Sequence, residues 1–138
     1  MKGYLHTVAY YETDKMGVTH HSNYVRWMEE ARVDFLDKAG WGYDRLEALG
    51  VISPVVGLTC NYKAPTTFRD VIEVRAKVAE YNGVRLVVAY EMVNAETGRT
   101  VFTGTSTHCF QDQSGRIIRR MAQALPGLDE ALRRSARQ

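Results

Sequence analysis

The sequence is poor in the residues that would staple or metallate a small fold. It has only two cysteines, Cys60 and Cys109, and no Cys-x-x-Cys spacing. Two thiols make no disulfide framework, which implies a reduced, cytoplasmic protein. With no His or Arg placed to activate either, both read as buried structural thiols. There are four histidines, His6, His20, His21 and His108. Only two are adjacent, and neighbours on a helix or strand point in different directions, so no metal site is expected. No stretch is long and apolar enough to span a membrane. The beginning, "MKGYLHTVAYYE", lacks the apolar core of a signal peptide. A net charge of +2 is too small to argue for nucleic acid. No repeat or low-complexity segment is present.

What is there is ordinary for a globular chain. Its 138 residues, with 45% hydrophobic and 25% charged, suit one domain over residues 1–138. Residues 4–11 are apolar and β-prone, which predicts a first strand. Residues 22–39 predict a helix: Tyr24, Met28, Ala31, Phe35 and Ala39 recur at spacings of three and four, with Arg32, Asp34 and Lys38 off that stripe. Ser22 or Asn23 is a candidate N-cap, and Gly40 suits the position after the end. A short helical piece follows at 43–49, closed by Gly50.

After Gly50 the period becomes two. Leu58, Cys60 and Tyr62 alternate with polar residues, as do Ile72, Val74, Ala76 and Val78, then Leu86, Val88, Tyr90 and Met92. "YNGV" at 81–84 predicts a type I′ hairpin turn. "NAETGR" at 94–99 predicts a second turn and residues 100–111 a strand. "DQSG" at 112–115 predicts another turn, and the basic terminal segment a helix. One strand, one long helix and a run of antiparallel strands make an α+β fold, a sheet wrapped around one long central helix. Val87, Val93 and Val101 fall on nominally outer positions, which suggests a second subunit on that face.

"YYETDKMGVTHHSNYVRWMEEAR" (10–32) breaks between the strand and the helix, with Asp14 at the break. Two readings stand. Asp before Gly is common in turns, where its side chain bonds its own backbone. Alternatively, a carboxylate in a loop leading into a helix lies near free N–H groups and the positive end of the helix dipole. Those groups can hold a polarised carbonyl oxygen while the carboxylate attacks the carbon or activates a water. Aspartate is a weak base, so an activated acyl group such as a thioester suits it.

Thr13-Asp14, Gly17-Val18, His21 and Tyr24 at these spacings resemble the signature of the 4-hydroxybenzoyl-CoA thioesterase family, hotdog-fold enzymes that include the Tol–Pal-associated type. The likeness continues through "NYVRWMEEAR" and "YKAPTTFRD". It implies Asp14 as nucleophile or general base, Gly17 in a tight approach to the helix, and a His21 N–H that polarises the thioester carbonyl. Tyr24, Glu29, Val18, Thr59, Lys63 and Pro65 are the candidate substrate contacts; core packing for Tyr24 and a solvated charge for Glu29 are the alternatives. Lys63, Arg69, Arg85, Arg119 and Arg120 are candidates to hold the coenzyme A phosphates. Where members carry an apolar and then an aromatic residue after Gly-Val, this chain has Thr19 and His20. The resemblance implies hydrolysis of a short-chain or aromatic acyl-CoA, with no cofactor, since coenzyme A is part of the substrate. It also implies a site shared between protomers of a homodimer, or of a homotetramer. A hotdog hydratase or dehydratase using Asp14 with His20 or His21, and a non-catalytic acyl-CoA-binding module, remain alternatives.

Overall fold

Helix α1 runs from Ser22 to Lys38. Four residues of its expected stripe, Tyr24, Met28, Ala31 and Phe35, are buried, joined by Trp27, while the fifth, Ala39, lies past the helix end and is half-buried. Gly40 follows with φ +84°, the left-handed turn that ends the helix. One expectation fails. Arg32 lies off the stripe yet is buried, and its Nη1 donates to the Tyr90 hydroxyl at 3.0 Å.

The structure, a computed structural model, describes residues 3–138. The other elements are β1 (Tyr4–Thr7), α2 (Tyr43–Ala48), β2 (Val55–Tyr62), β3 (Val71–Tyr81), β4 (Leu86–Asn94), β5 (Thr100–His108), α3 (Met121–Ala124) and α4 (Pro126–Ala136). The five strands form one antiparallel sheet in the order β1-β3-β4-β5-β2. No helix among the described residues is long and apolar enough to cross a membrane.

The chain divides into two compact units. The first holds residues up to 32, 60–76 and 90–104. In it β1 pairs with the start of β3, Tyr4 opposite Val74 and Thr7 opposite Val71. Tyr24 of α1 stacks on Phe102 of β5 with ring centroids 5.3 Å apart. The second holds residues 33–59, 77–89 and 105–138. There the Tyr81 hydroxyl at the end of β3 donates to Asp129 Oδ1 at 2.6 Å, and Arg133 Nε donates to Asp129 Oδ2 at 2.9 Å. Burial, then the Asp129 carboxylate, raises the Tyr81 hydroxyl well above its usual range. A neutral phenol therefore ties α4 to the strand.

Strand expectations need three corrections. The first strand stops at Thr7, and Tyr10–Glu12 form a 3-10 turn that exposes Tyr10 and Tyr11 and buries Glu12. The last strand stops at His108, leaving Gln111 with single bridges to Ile52 and Ile117. Val87, Val93 and Val101 are buried within the chain itself, so they give no ground for a partner. Exposed apolar side chains instead include Val55, Val56, Leu58 and Tyr62, which follow one another along edge strand β2. Cys60 and Cys109 are free and half-buried.

The "YNGV" turn is shifted by one residue from the expected register. Asn82 N–H donates to the Arg85 carbonyl at 3.2 Å, so Gly83 and Val84 are the central residues. Only Gly83 has positive φ, at +91°, whereas a type I′ turn needs two such residues. Asn82 Oδ1 instead accepts the N–H groups of Val84 (3.0 Å) and Arg85 (2.7 Å). Asn82→Gly should therefore cost about 1 kcal/mol through the lost side-chain acceptor. Urea unfolding of the variant checks this. A neutral or stabilising effect would restore the type I′ reading, in which glycine replaces asparagine without loss.

Candidate active site

The loop between β1 and α1 is a short hairpin. Thr13 and Thr19 bridge across it. Asp14 N–H donates to the Val18 carbonyl at 2.9 Å, and Gly17 N–H donates back to the Asp14 carbonyl at 3.0 Å. Gly17 has φ +78°, and a Cβ there would meet nothing within 4 Å. Glycine is thus required by conformation and not, as expected, by a tight approach. Asp14 is half-buried, and its Oδ1 accepts the Met16 N–H at 2.8 Å. The turn chemistry seen from sequence is real. It also uses only one carboxylate oxygen, since Oδ2 takes no hydrogen bond among the described residues.

Where this loop meets α1, the capping differs from expectation. Ser22 N–H donates to His20 Nδ1 at 3.2 Å, and the Ser22 hydroxyl lies 2.8 Å from the same nitrogen. His20, the departure from the family pattern, is therefore the cap. Asn23 Nδ2 turns inward to the Glu12 carbonyl at 2.9 Å. Asn23 N–H donates to His20 O at 3.0 Å and Tyr24 N–H to His21 O at 3.4 Å. The His21 N–H finds no acceptor among the described residues.

His21 lines a cavity of about 320 Å³ together with Thr19, Tyr24, Tyr62, Lys63, Ala64 and Pro65. Its walls are largely rings: Tyr24 and Tyr62 meet edge-on at 5.3 Å, and His21 and Tyr62 edge-on at 6.3 Å. The Tyr62 hydroxyl donates to the His21 carbonyl at 3.2 Å. Desolvation, and next Cys60, raises that hydroxyl. Burial raises Tyr24 too, against the Thr66 bond. Both stay neutral phenols at physiological pH.

Four expected site residues, His21, Tyr24, Lys63 and Pro65, thus meet in one cavity. Asp14, Gly17 and Val18 sit in the adjoining hairpin, outside that lining. Glu29 is exposed, and its carboxylate has no hydrogen bond among the described residues. Thr59 belongs to the second unit, where its Oγ1 pairs with Thr105 Oγ1 at 2.7 Å. Of the five candidate phosphate-binding cations, Lys63 alone lines this cavity, while Arg69 lies over the Phe68 ring at 4.9 Å. Arg119 and Arg120 line an open groove of about 950 Å³ in the second unit, and Arg85 lines another of about 330 Å³. Asp112, the one carboxylate in the larger groove, is committed to Ser114 and Arg116.

Sequence reasoning missed Glu12, Thr19, Tyr62 and Thr66. Thr66 Oγ1 bonds Thr19 Oγ1 (2.6 Å) and Tyr24 OH (3.0 Å), tying the back of the cavity to the loop. The signal available was the stretch "YKAPTTFRD", which carries both Tyr62 and Thr66.

Residues 8–134 match the family described as the thioesterase-like superfamily. The chain belongs to that superfamily. It is 36% identical over 112 residues to a Bacillus subtilis (strain 168) protein named an acyl-CoA thioesterase, YneP, covering 80% of each. It is 34% identical over 89 residues to the Escherichia coli O6:H1 acyl-CoA thioester hydrolase YbgC, covering 64% of this chain and 66% of that one. Among solved structures it is similar to a DHNA-CoA thioesterase from Staphylococcus aureus, with TM-score 0.90 and 34% identity, covering 96% of this chain and 89% of that one. The superfamily's hotdog fold is the expected α+β arrangement.

In this thioesterase-like fold the loop is fastened by Glu12. Burial alone would raise its carboxyl, but the Ala9 N–H, the His6 ring and the Trp27 indole together hold it below its usual value. A depressed folded value contributes stability that is full above the unfolded glutamate pKa of about 4.3. That stability is lost as pH falls through the folded value. The stability advantage of wild type over Glu12→Gln should therefore shrink between about pH 5 and pH 3. Denaturant titrations at several pH values test this. An equal gap at pH 3 and pH 7 would exclude an ionised, paired Glu12.

Proposed function

We propose that this protein hydrolyses acyl-CoA thioesters, with an aromatic acyl group in the cavity formed by His21, Tyr24, Tyr62 and Pro65. The observation that carries this is the His21 N–H at the start of α1, which has no acceptor among the described residues and belongs to a residue lining a ring-walled cavity. Such a group is a ready donor to a carbonyl oxygen that gains negative charge. Aromatic walls and a volume of about 320 Å³ favour a compact planar acyl group over a long aliphatic chain. The similarity to a DHNA-CoA thioesterase supports the same class.

In this reading the thioester oxygen meets the His21 N–H, and Asp14 is the attacking group or the base. As nucleophile, its carboxylate oxygen bonds to the carbonyl carbon, the C–S bond breaks and coenzyme A thiolate leaves. Water then cleaves the resulting anhydride. As base, Asp14 takes a proton from water, which attacks directly. Both routes consume one water and yield the free acid and the thiol. No further cofactor is needed.

The site is proposed to work as a homodimer, with a second copy closing the open side of the cavity; a tetramer would be two such pairs. The exposed Val56 and Leu58 on edge strand β2 supply a surface for this pairing. Leu58→Lys should shift the protein toward monomer on sizing with light scattering and lower turnover at least tenfold. A monomer with full turnover would exclude a shared site.

Thiol release from a panel of acyl-CoA esters (short aliphatic, long aliphatic and aromatic) tests the chemistry. Asp14→Asn should fold normally and lose a factor on the order of 100 or more. His21→Ala should lose less, because its backbone N–H remains. An Asp14→Asn protein with wild-type turnover would overturn the mechanism, and binding without turnover by the wild type would indicate a binding module.

A further inference from the structure

The chemistry proposed above makes no use of Glu12, yet Glu12 is the most heavily bonded side chain near it. It is only 3% exposed. Its Oε1 accepts the Ala9 N–H at 2.8 Å and lies 2.8 Å from His6 Nε2. Its Oε2 accepts the Trp27 Nε1–H at 2.8 Å. One carboxylate therefore joins β1, the 3-10 turn and the second turn of α1. His6 extends the link, since its Nδ1 lies 3.1 Å from Glu30 Oε1, which also accepts the Tyr4 hydroxyl at 2.8 Å.

The main chain of the same residue faces the other way. The Glu12 carbonyl accepts the His20 N–H at 2.8 Å and Asn23 Nδ2 at 2.9 Å. Glu12 thus holds α1 with its side chain and the residue before His21 with its backbone. Asp14 is two residues further on. Burying a carboxylate is costly, and an apolar residue could fill the same volume for stability alone. An apolar residue could not fix direction, because only hydrogen bonds to three separate donors do that.

We propose that Glu12 is a positioning residue for thioester hydrolysis. Its buried carboxylate, clamped by His6, Ala9 and Trp27, sets the Asp14 loop and the His21 N–H in one fixed relation to helix α1. The inference rests on the reading of Asp14 as the attacking group. Misplacement of a reacting group by about an ångström costs on the order of 100-fold, so loosening this clamp should act on kcat and leave substrate binding nearly alone.

The test is a double-mutant cycle on the full-length protein, with kcat and KM expressed per folded site. Glu12→Gln should lower kcat at least tenfold with KM within about twofold. In the Asp14→Asn background the same substitution should change residual turnover by less than about twofold, since no positioned carboxylate is left to misplace. A second variant, His6→Ala on strand β1, removes one donor to the clamp and should repeat the pattern more weakly. Amide hydrogen exchange gives a readout independent of turnover. The His20 amide should exchange faster in both variants, while that of Met28 in mid-helix should not. A merely structural Glu12 would lower the folded fraction and leave kcat per site unchanged, or would cost equally in both backgrounds. Either result overturns the proposal. Failure of the underlying reading looks different: Asp14→Asn would then keep wild-type turnover.

Discussion

A carboxylate taken out of water has to be matched donor for donor, and the loop before α1 is arranged around that requirement at Glu12. His6 must face inward from β1, the Ala9 N–H must turn toward the same point, and the Trp27 indole must reach it from the helix. Meeting all three fixes the path of the chain. The strand has to stop at Thr7, because a straight continuation would carry Glu12 away from the helix. The 3-10 turn brings it back and turns Tyr10 and Tyr11 out to solvent. The Thr13–Thr19 bridge then closes the Asp14 hairpin on top of this anchor.

The helix start is the second half of the same construction. A helix leaves its first N–H groups without intrahelical partners, and a Ser or Asn cap ordinarily satisfies one of them. Here the imidazole of His20 takes the Ser22 N–H, and Asn23 is drawn inward to Glu12. The His21 N–H keeps no acceptor among the described residues, although Tyr62 engages the carbonyl of the same residue. Two neutral phenols and an imidazole line the cavity to which His21 belongs. None of them brings a formal negative charge that would compete with an incoming oxygen.

Much of this was legible in the sequence, and the reason is periodicity. The helical stripe from Tyr24 to Phe35 and the alternation in β3 and β4 reflect burial on one face, which single side chains report well. The motif around Asp14 fixed the family because the spacing from loop to helix is narrow. Features that depend on pairing across the chain were not legible. Arg32 reads as a solvated charge until Tyr90, 58 residues later, is placed beside it. Asn82-Gly83 reads as type I′ until the strand ends fix the register one residue along. Val87, Val93 and Val101 read as outer positions because alternation assumes one open face, while β4 and β5 are inner strands of the sheet and are buried at these positions as well. Glu12 carried no signal at all, since a lone glutamate beside two tyrosines looks like surface.

The chemistry proposed for Asp14 depends on the water around it. A half-exposed carboxylate with a backbone N–H on one oxygen is well solvated, and a solvated carboxylate is a poor nucleophile and a poor base. The pull of the helix start on a carbonyl oxygen is also weak while water shares the space, because screening falls only when the site is dry. Within one chain the cavity has a floor of rings and a back wall tied by Thr66, but Asp14 stands beside it and not in it. A substrate carbonyl that touches both the carboxylate and the His21 N–H would lie across the rim, in contact with solvent. Covering that rim removes water from both groups at once. The proposed pairing along β2 would supply the cover, since Tyr62 ends that exposed apolar strand and lines the cavity itself. Assembly and catalysis would then be coupled through one residue, and the same contact that joins two copies would dry the site in each.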